Sequence, residues 1–204
     1  MSKPKRLGVL LSGRGSNFLA IADAIRSGKL SDCEIAVVIS NIADAPGLAA
    51  ATSLSLPTAA LPSRGVPRAE HDANLLGALQ EHAVDYVVLA GYMRVLTPAF
   101  LREYPDRVVN IHPSLLPAFP GLHAQQQALD YGARVSGCTV HFVDEAVDHG
   151  VIILQKTVTV EDEDIAETLS ARILKQEHTA YPEALARVLS GRYGIQGRRY
   201  LPLR

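Results

Sequence analysis

The chain has 204 residues, enough to bury roughly 70% of the surface its unfolded form exposes, so neither a metal nor a disulfide is required to make up for a thin core. Apolar residues make up 48%, and 20 Lys and Arg against 21 Asp and Glu leave a net charge of -1, which offers no extended basic face for a nucleic-acid backbone. Cys33 and Cys138 each lie in an apolar run, outside any Cys-x-x-Cys or His/Cys cluster, and read as buried thiols of a reducing compartment. The basic start, Met-Ser-Lys-Pro-Lys-Arg, precedes an apolar run, Leu7 to Leu11, that is too short for a signal sequence. No apolar stretch approaches the roughly 20 residues that span a bilayer, and a cytoplasmic protein is expected.

In chain order, Leu7 to Leu11 reads as a buried strand, Ser12 to Asn17 as a Gly-rich loop, the next residues to about Gly28 as a helix and Ile35 to Ile39 as a second strand. That is a βαβ unit. Asp44 to Ser53 reads as a short Ala-rich helix, Pro57 to Leu61 as a brief strand, and Arg64 to His82 as a helix with a polar face. Val84 to Leu89 is a continuous apolar strand of the kind covered on both faces. Ala90 to Arg94 forms a loop, Pro98 starts a short helix to about Tyr104, and Arg107 to Ile111 makes a further strand closed by Pro113.

After Pro120-Gly121 a helix to about Tyr131 leads to two strands, Gly137 to Val143 and Val151 to Val160, joined by an acidic loop and expected to pair antiparallel. Asp164 to Leu189 is a long amphipathic helix, acidic in its first turn, with a kink expected at Pro182. The pattern predicts an α/β fold: a Rossmann-like, mostly parallel sheet flanked by helices, with antiparallel strands added in the C-terminal half and a long C-terminal helix. A single domain over 1–204 is expected, with a phosphate-binding half over about 1–100 and a folate and catalytic half over about 101–204. Such sheets bind ligands at the carboxyl ends of their strands, where the motif-bearing loops fall.

Three features carry chemistry. The loop Ser12-Gly13-Arg14-Gly15-Ser16-Asn17 joins a strand to a helix, so free backbone N–H groups and the helix dipole face whatever anion sits there. Phe18 stands where a dinucleotide fingerprint needs its last glycine, and Ser40-Asn41 ends the second strand where a ribose-binding acid is expected. A phosphate monoester therefore suits the loop better than NAD; the alternative is a turn tightened by Ser16 or Asn17 as an N-cap. In Asn110-Ile111-His112-Pro113, residues two apart share a face of extended chain, so an amide donor and an imidazole converge. Such a pair can hold a developing oxyanion or pass a proton, as acyl transfer to an amine requires; alternatively the two simply close a strand and cap a turn. Asp148, in the loop Asp144 to Gly150, is the carboxylate that would keep His112 charged and oriented, or else an ordinary hairpin acid.

Taken in order, Ser-Gly-x-Gly-Ser-Asn, Ala90-Gly91-Tyr92-Met93-Arg94, Asn110-x-His112-Pro113-Ser114-Leu115-Leu116-Pro117, Phe119-Pro120-Gly121 and Asp148 resemble the phosphoribosylglycinamide formyltransferase family of purine synthesis over roughly Leu7 to Pro182. The resemblance implies transfer of a formyl group from 10-formyltetrahydrofolate, as cosubstrate, to the amine of glycinamide ribonucleotide. It implies Asn110, His112 and Asp148 as the catalytic set, with Gly15, Ser16 and Asn17 on the ribose phosphate and Glu177 on the glycinamide substrate. Arg68, Met93, Arg94, Val95 and Leu96, together with Asn110, match the folate-contacting positions: an apolar slot for the pterin, and arginines that favour the anionic tail. The structural alternatives are that Met93 and Leu96 are plain core and that Arg68 and Glu177 are solvated helix residues. Tyr92 departs from a frequent Phe and Val151 from a common Pro. His123 and His141 are expected to line the site without a catalytic role.

No metal is expected, since the His and acid residues lack metal-ligand spacing. Neither a nucleic-acid nor a membrane partner is expected, and the protein is expected to be a monomer or a homodimer. Two related activities are disfavoured. Methionyl-tRNA formyltransferase adds a C-terminal tRNA-engaging domain, for which there is no basic extension here. Formyltetrahydrofolate deformylase has an N-terminal regulatory domain, for which a first strand at Leu7 leaves no room. A catalytically silent binding module would keep the phosphate loop and lose the Asn/His/Asp set.

Overall fold

The strand and helix periodicities of the first hundred residues emerge as a parallel, helix-flanked arrangement. The computed structural model describes residues 3–203; Met1, Ser2 and Arg204, the ends of the expected 1–204 domain and part of the basic start, lie outside the described residues. The chain divides into two compact units, Met1–Val109 and Asn110–Arg204.

The first unit runs β1 (Lys5–Leu11), α1 (Ser16–Arg26), β2 (Cys33–Ser40), α2 (Pro46–Ser53), β3 (Thr58–Ala60), α3 (Arg68–Glu81), β4 (Tyr86–Leu89) and α4 (Pro98–Glu103). Its strands lie in the order β3-β2-β1-β4, every pair parallel. In the inner strand β1, Leu7, Val9, Leu10 and Leu11 are wholly buried. Gly8 lets a helix close on it: a Cβ there would lie 2.5 Å from Leu79 of α3. Phe18, Ile21 and Ala24 supply the buried stripe of α1. Two helices start later than the sequence suggests, and proline is the reason. Pro46 takes the first helical position of α2, and Pro67 holds the N-cap of α3 with ψ 144, while its ring bars the preceding residue from helical geometry.

The second unit takes up β5 (Val108–His112) from Asn110 onward and continues through α5 (Ala124–Tyr131), β6 (Val135–Phe142), β7 (Ile152–Thr159), α6 (Ala166–Leu189), β8 (Tyr193–Gln196) and β9 (Arg199–Pro202). The strand order is β5-β6-β7-β9-β8. As expected, β6 and β7 pair antiparallel, and their register slips between Val140 and His141: Val140 faces Leu154, His141 faces Ile152, and Ile153 is skipped. At Gly137 a Cβ would lie 2.0 Å from the Lys156 carbonyl of β7, so only glycine fits. Helix α6 buries Leu169, Ile173, Glu177, Ala180, Tyr181, Ala184, Leu185 and Val188, a stripe of helical period, and runs through Pro182 to Leu189.

The terminal hairpin of β8 and β9 goes beyond what the sequence led us to expect. It turns on Gly197, at φ 59, and Arg198, the two-residue loop that suits antiparallel strands. Tyr193 stacks on Tyr200 within it and on Phe142 at the end of β6. Among the described residues no helix is long and apolar enough to cross a membrane.

Candidate active site

In the first unit, the loops that leave the carboxyl ends of the parallel strands are tied to one another. Ser12, just past β1, donates its hydroxyl to Asn41 Oδ1 (2.6 Å) and accepts the backbone N–H of Met93 (2.8 Å). Asn41, just past β2, passes an amide hydrogen to the Ser63 hydroxyl (3.0 Å). Arg94 completes the tie by donating to the Ser63 and Val66 carbonyls (2.8 and 2.7 Å). Asn41 thus stands in the place of a ribose-binding acid as a strut between loops.

The Gly-rich loop is held against α2, where the Gly47 N–H donates to the Gly13 carbonyl at 3.0 Å. Gly15, not Ser16 or Asn17, is the N-cap of α1; its φ of 72 is left-handed and no side chain caps the helix. With no acidic residue in the first turn either, the dipole and first N–H groups of α1 suit an anion. Ser16 is half-buried and Asn17 buried.

In the second unit, Asn110 and His112, two apart on β5, share a face with His141 of β6 and with Asp148. The His112 Nδ1 lies 3.2 Å from Asp148 Oδ2, and its Nε2 lies 2.9 Å from the Phe119 carbonyl. A carboxylate and a carbonyl are both pure acceptors, so the doubly protonated ring is the form that makes both bonds. The pair is well shielded, with side-chain exposures of 6% for His112 and 11% for Asp148. The same Asp148 oxygen accepts the Gly121 N–H at 2.8 Å.

His141 is the piece that sequence reasoning left without a role. Its Nδ1 donates to the Phe142 carbonyl (2.7 Å), while its Nε2 lies 3.2 Å from Asn110 Nδ2 and 3.8 Å from Asp148 Oδ1. Burial pushes its pKa below the ordinary 6.5, against the upward pull of the Phe142 carbonyl and of Asp148, so the ring is held neutral. A neutral ring protonated at Nδ1 has a bare Nε2, which must accept from the Asn110 amide. That fixes which end of Asn110 is nitrogen and leaves its second N–H to donate elsewhere.

The segment after β5 is clamped from β6. Thr139, wholly buried, donates to the Ser114 carbonyl (2.7 Å), accepts the Leu116 N–H (3.0 Å) and accepts from Gln155 Nε2 (2.9 Å). Ser114 in turn donates to the Ala118 carbonyl at 2.6 Å. The loop that presents Phe119 to His112 is therefore built and held locally. An amide donor, a doubly bonded imidazole and a carboxylate within one shielded cluster are what stabilisation of an oxyanion and movement of a proton require.

Residues 5–185 match the formyl transferase family. The chain is 43% identical to the phosphoribosylglycinamide formyltransferase of Haemophilus influenzae over 94% of its own length and 91% of that protein's. It is 48% identical to the trifunctional purine biosynthetic protein adenosine-3 of Drosophila pseudoobscura pseudoobscura over 94% of its own length, and spans only 14% of that longer protein. The crystal structure of glycinamide ribonucleotide transformylase 1 from Symbiobacterium toebii superposes with a TM-score of 0.96 at 47% identity, covering 100% of this chain and 96% of that one.

The chain belongs to the phosphoribosylglycinamide formyltransferase family.

Apart from Asn110, the positions that the formyltransferase resemblance marks for folate lie in the first unit and part company there. Met93 is 70% exposed and Val95 44%, apolar side chains open to a ligand and not plain core, whereas Leu96 is buried and anchors the segment. Arg94 turns inward to carbonyls, as described, while Arg68 stands exposed at the first position of α3. Beneath this formyltransferase loop, His71 of α3 meets the Tyr92 hydroxyl at 2.8 Å, and Asp72 accepts the Thr97 N–H at 2.7 Å. Glu177 is buried on the inner stripe of α6, and its charge, after burial itself, helps push the Cys138 thiol up to about 12. His123, at the N-cap of α5, adopts a left-handed backbone with φ 59.

Proposed function

We propose that the chain transfers the formyl group of 10-formyltetrahydrofolate to the amine of 5'-phosphoribosylglycinamide, giving formylglycinamide ribonucleotide and tetrahydrofolate in de novo purine synthesis. The observation that carries the reading is the Asn110–His141–Asp148–His112 cluster, in a chain of this family. The amine lone pair forms the new C–N bond at the formyl carbon while the carbonyl π electrons move to oxygen. The second N–H of Asn110 donates to that oxyanion. His112 joins it by giving up its Nε2–H bond to the Phe119 carbonyl, and Asp148 holds the charged ring in place through Nδ1. Collapse breaks the bond from carbon to N10 of the folate, and the proton shed by the attacking amine reaches N10 through water or His112. Removing one such oxyanion donor typically costs about 100- to 1,000-fold in rate.

Gly15, Ser16 and Asn17 hold the substrate phosphate, and Glu177 binds the glycinamide substrate. Met93, Val95 and Leu96 make the apolar slot for the pterin, with Asn110 also in contact with the folate. Arg68, exposed and cationic, meets the anionic folate tail, whereas Arg94 shapes the slot from behind. No metal enters the step as written. The enzyme acts as a monomer or homodimer, and the buried free thiols Cys33 and Cys138 suit a reducing cytoplasm.

The test is mass-spectrometric detection of formylated product from the protein, 10-formyltetrahydrofolate and glycinamide ribonucleotide, with a no-acceptor control. Product that requires the acceptor and is lost in Asn110→Ala and His112→Ala supports the reading. Formate released without acceptor points to deformylation instead, and no turnover of either kind points to a binding module.

A further inference from the structure

Asp148, the residue that orients His112, sits in a turn. Its φ is 51, a left-handed backbone that among non-glycine residues Asn and Asp adopt most readily, and then as single residues in turns. Two residues on, Gly150 is pressed so tightly against Phe142 that a Cβ would lie 1.8 Å from the Phe142 carbonyl. Between them, the exposed His149 is gripped from both sides. Its Nδ1 lies 2.8 Å from Asp144 Oδ2, and Asp144 Oδ1 accepts the Ala146 N–H at 3.1 Å. Arg198 Nη1 lies 3.2 Å from Nδ1 and 3.0 Å from Nε2 of the same ring, while its Nη2 donates to the His149 carbonyl.

These groups form one chain of contacts. Carboxylate only accepts, so His149 donates Nδ1–H to Asp144, while Arg198 Nη1, nearly equidistant from both ring nitrogens, lies over the face of the ring. The planar fork of Arg198 spans ring and backbone carbonyl together, which a lysine ammonium cannot do. Arg198 is itself held in place, because the hairpin is fixed at its open end and beside its turn. Tyr193 stacks on Phe142, the last residue of β6, at 5.9 Å, and Arg199 pairs with Ile152, the first residue of β7. The family match ends at residue 185, so this grip comes from outside the matched segment.

We propose that Arg198, acting through His149 and Asp144, is a positioning residue that latches the loop carrying Asp148 against His112. The proposal rests on the reading of Asp148 as the partner of His112 in formyl transfer.

The test compares wild type, Arg198→Ala, Arg198→Lys and, as a control for charge alone, Arg199→Ala, whose side chain is exposed. Two readouts are compared: the steady-state kcat and KM for formyl transfer, and the titration midpoint of the His112 ring by NMR, assigned by loss of its signal in His112→Ala. A displacement of about 1 Å at a catalytic group can cost up to about 100-fold. The latch therefore predicts kcat about 10-fold lower in Arg198→Ala, an unchanged KM for the phosphorylated amine, a lowered His112 midpoint and partial recovery in Arg198→Lys. Arg199→Ala should match wild type in both. A His112 midpoint in Arg198→Ala that equals that of Arg199→Ala overturns the latch, folded or active though the variant be. If wild type transfers no formyl group, the activity reading has failed, and the His112 midpoint alone decides the latch.

Discussion

Replacing Thr139 by Val keeps the size and branching of a fully buried side chain while deleting the hydroxyl that serves three partners. Gln155 is exposed and can turn its amide to water. The Leu116 N–H and the Ser114 carbonyl cannot, since Leu116 is 5% exposed and Ser114 wholly buried. A buried polar group left without its partner costs roughly 1–3 kcal/mol, so the two together predict a loss of about 3 kcal/mol with almost no cavity contribution. For a chain of this size each kcal/mol moves Tm by roughly 2–4 °C, which predicts a fall of roughly 6–12 °C. Urea unfolding at constant m measures the loss directly. Thr139→Ser, which restores the hydroxyl and removes only a methyl, should recover most of it. A Thr139→Val midpoint within about 0.5 kcal/mol of wild type would show that the clamp on the loop after β5 contributes no stability.

Gly47→Ala places a Cβ 2.7 Å from Leu11 and 2.9 Å from the Gly13 carbonyl, pushing on the Gly-rich loop. KM for the phosphorylated amine should rise about 10-fold with a smaller change in kcat, the overpacking itself costing about 1–3 kcal/mol; an unchanged KM separates this loop from the phosphate. Asp148→Asn keeps the shape but not the charge that faces the His112 and Gly121 donors, and kcat should fall about 100- to 1,000-fold. A fall under about 5-fold in steady-state assays removes Asp148 from the mechanism. Acid should destabilise the fold well above the carboxylate range. Burial lowers the pKa of His71, His141 and His178 from 6.5, so the unfolded chain takes up protons that the folded one refuses, and stability present above about pH 6.5 is lost as pH falls through the folded values. Scanning calorimetry should show Tm falling from pH 7 to about 5, less steeply in His71→Gln; a flat Tm over that range is incompatible with buried neutral rings.

The alternating βαβ pattern was legible because buried parallel strands are apolar throughout and their helices carry a stripe, signals that survive without any knowledge of neighbours. Asn110 and His112 were legible for the same local reason, since extended chain puts residues two apart on one face. His141 was expected at the site, but its bond to Asn110 was not legible, because that depends on β6 lying beside β5, and sequence does not number strands in space. Arg94 pointed correctly to its loop but not to its direction, which is decided by two carbonyls near residue 65 that periodicity cannot see. The terminal hairpin was missed although Gly197-Arg198 between two short β-rich runs is a turn signal. Runs of four residues give little alternation to count, and their stability comes from stacking of Tyr193 on Phe142, some fifty positions earlier.

The register slip opposite His141 makes the two strands that frame the Asp148 loop behave like a reading frame. Side chains alternate faces with every residue, so deleting Ile153 to straighten the ladder would turn Ile152 and the residues running back toward Gly150 over to the opposite side. A compensating change elsewhere in β6 or β7 would be needed to bring Asp148 back beneath His112. Loops ordinarily absorb insertions and deletions freely; this one inherits its phase from the bulge, and viable length changes between Thr139 and Gln155 should come in matched pairs.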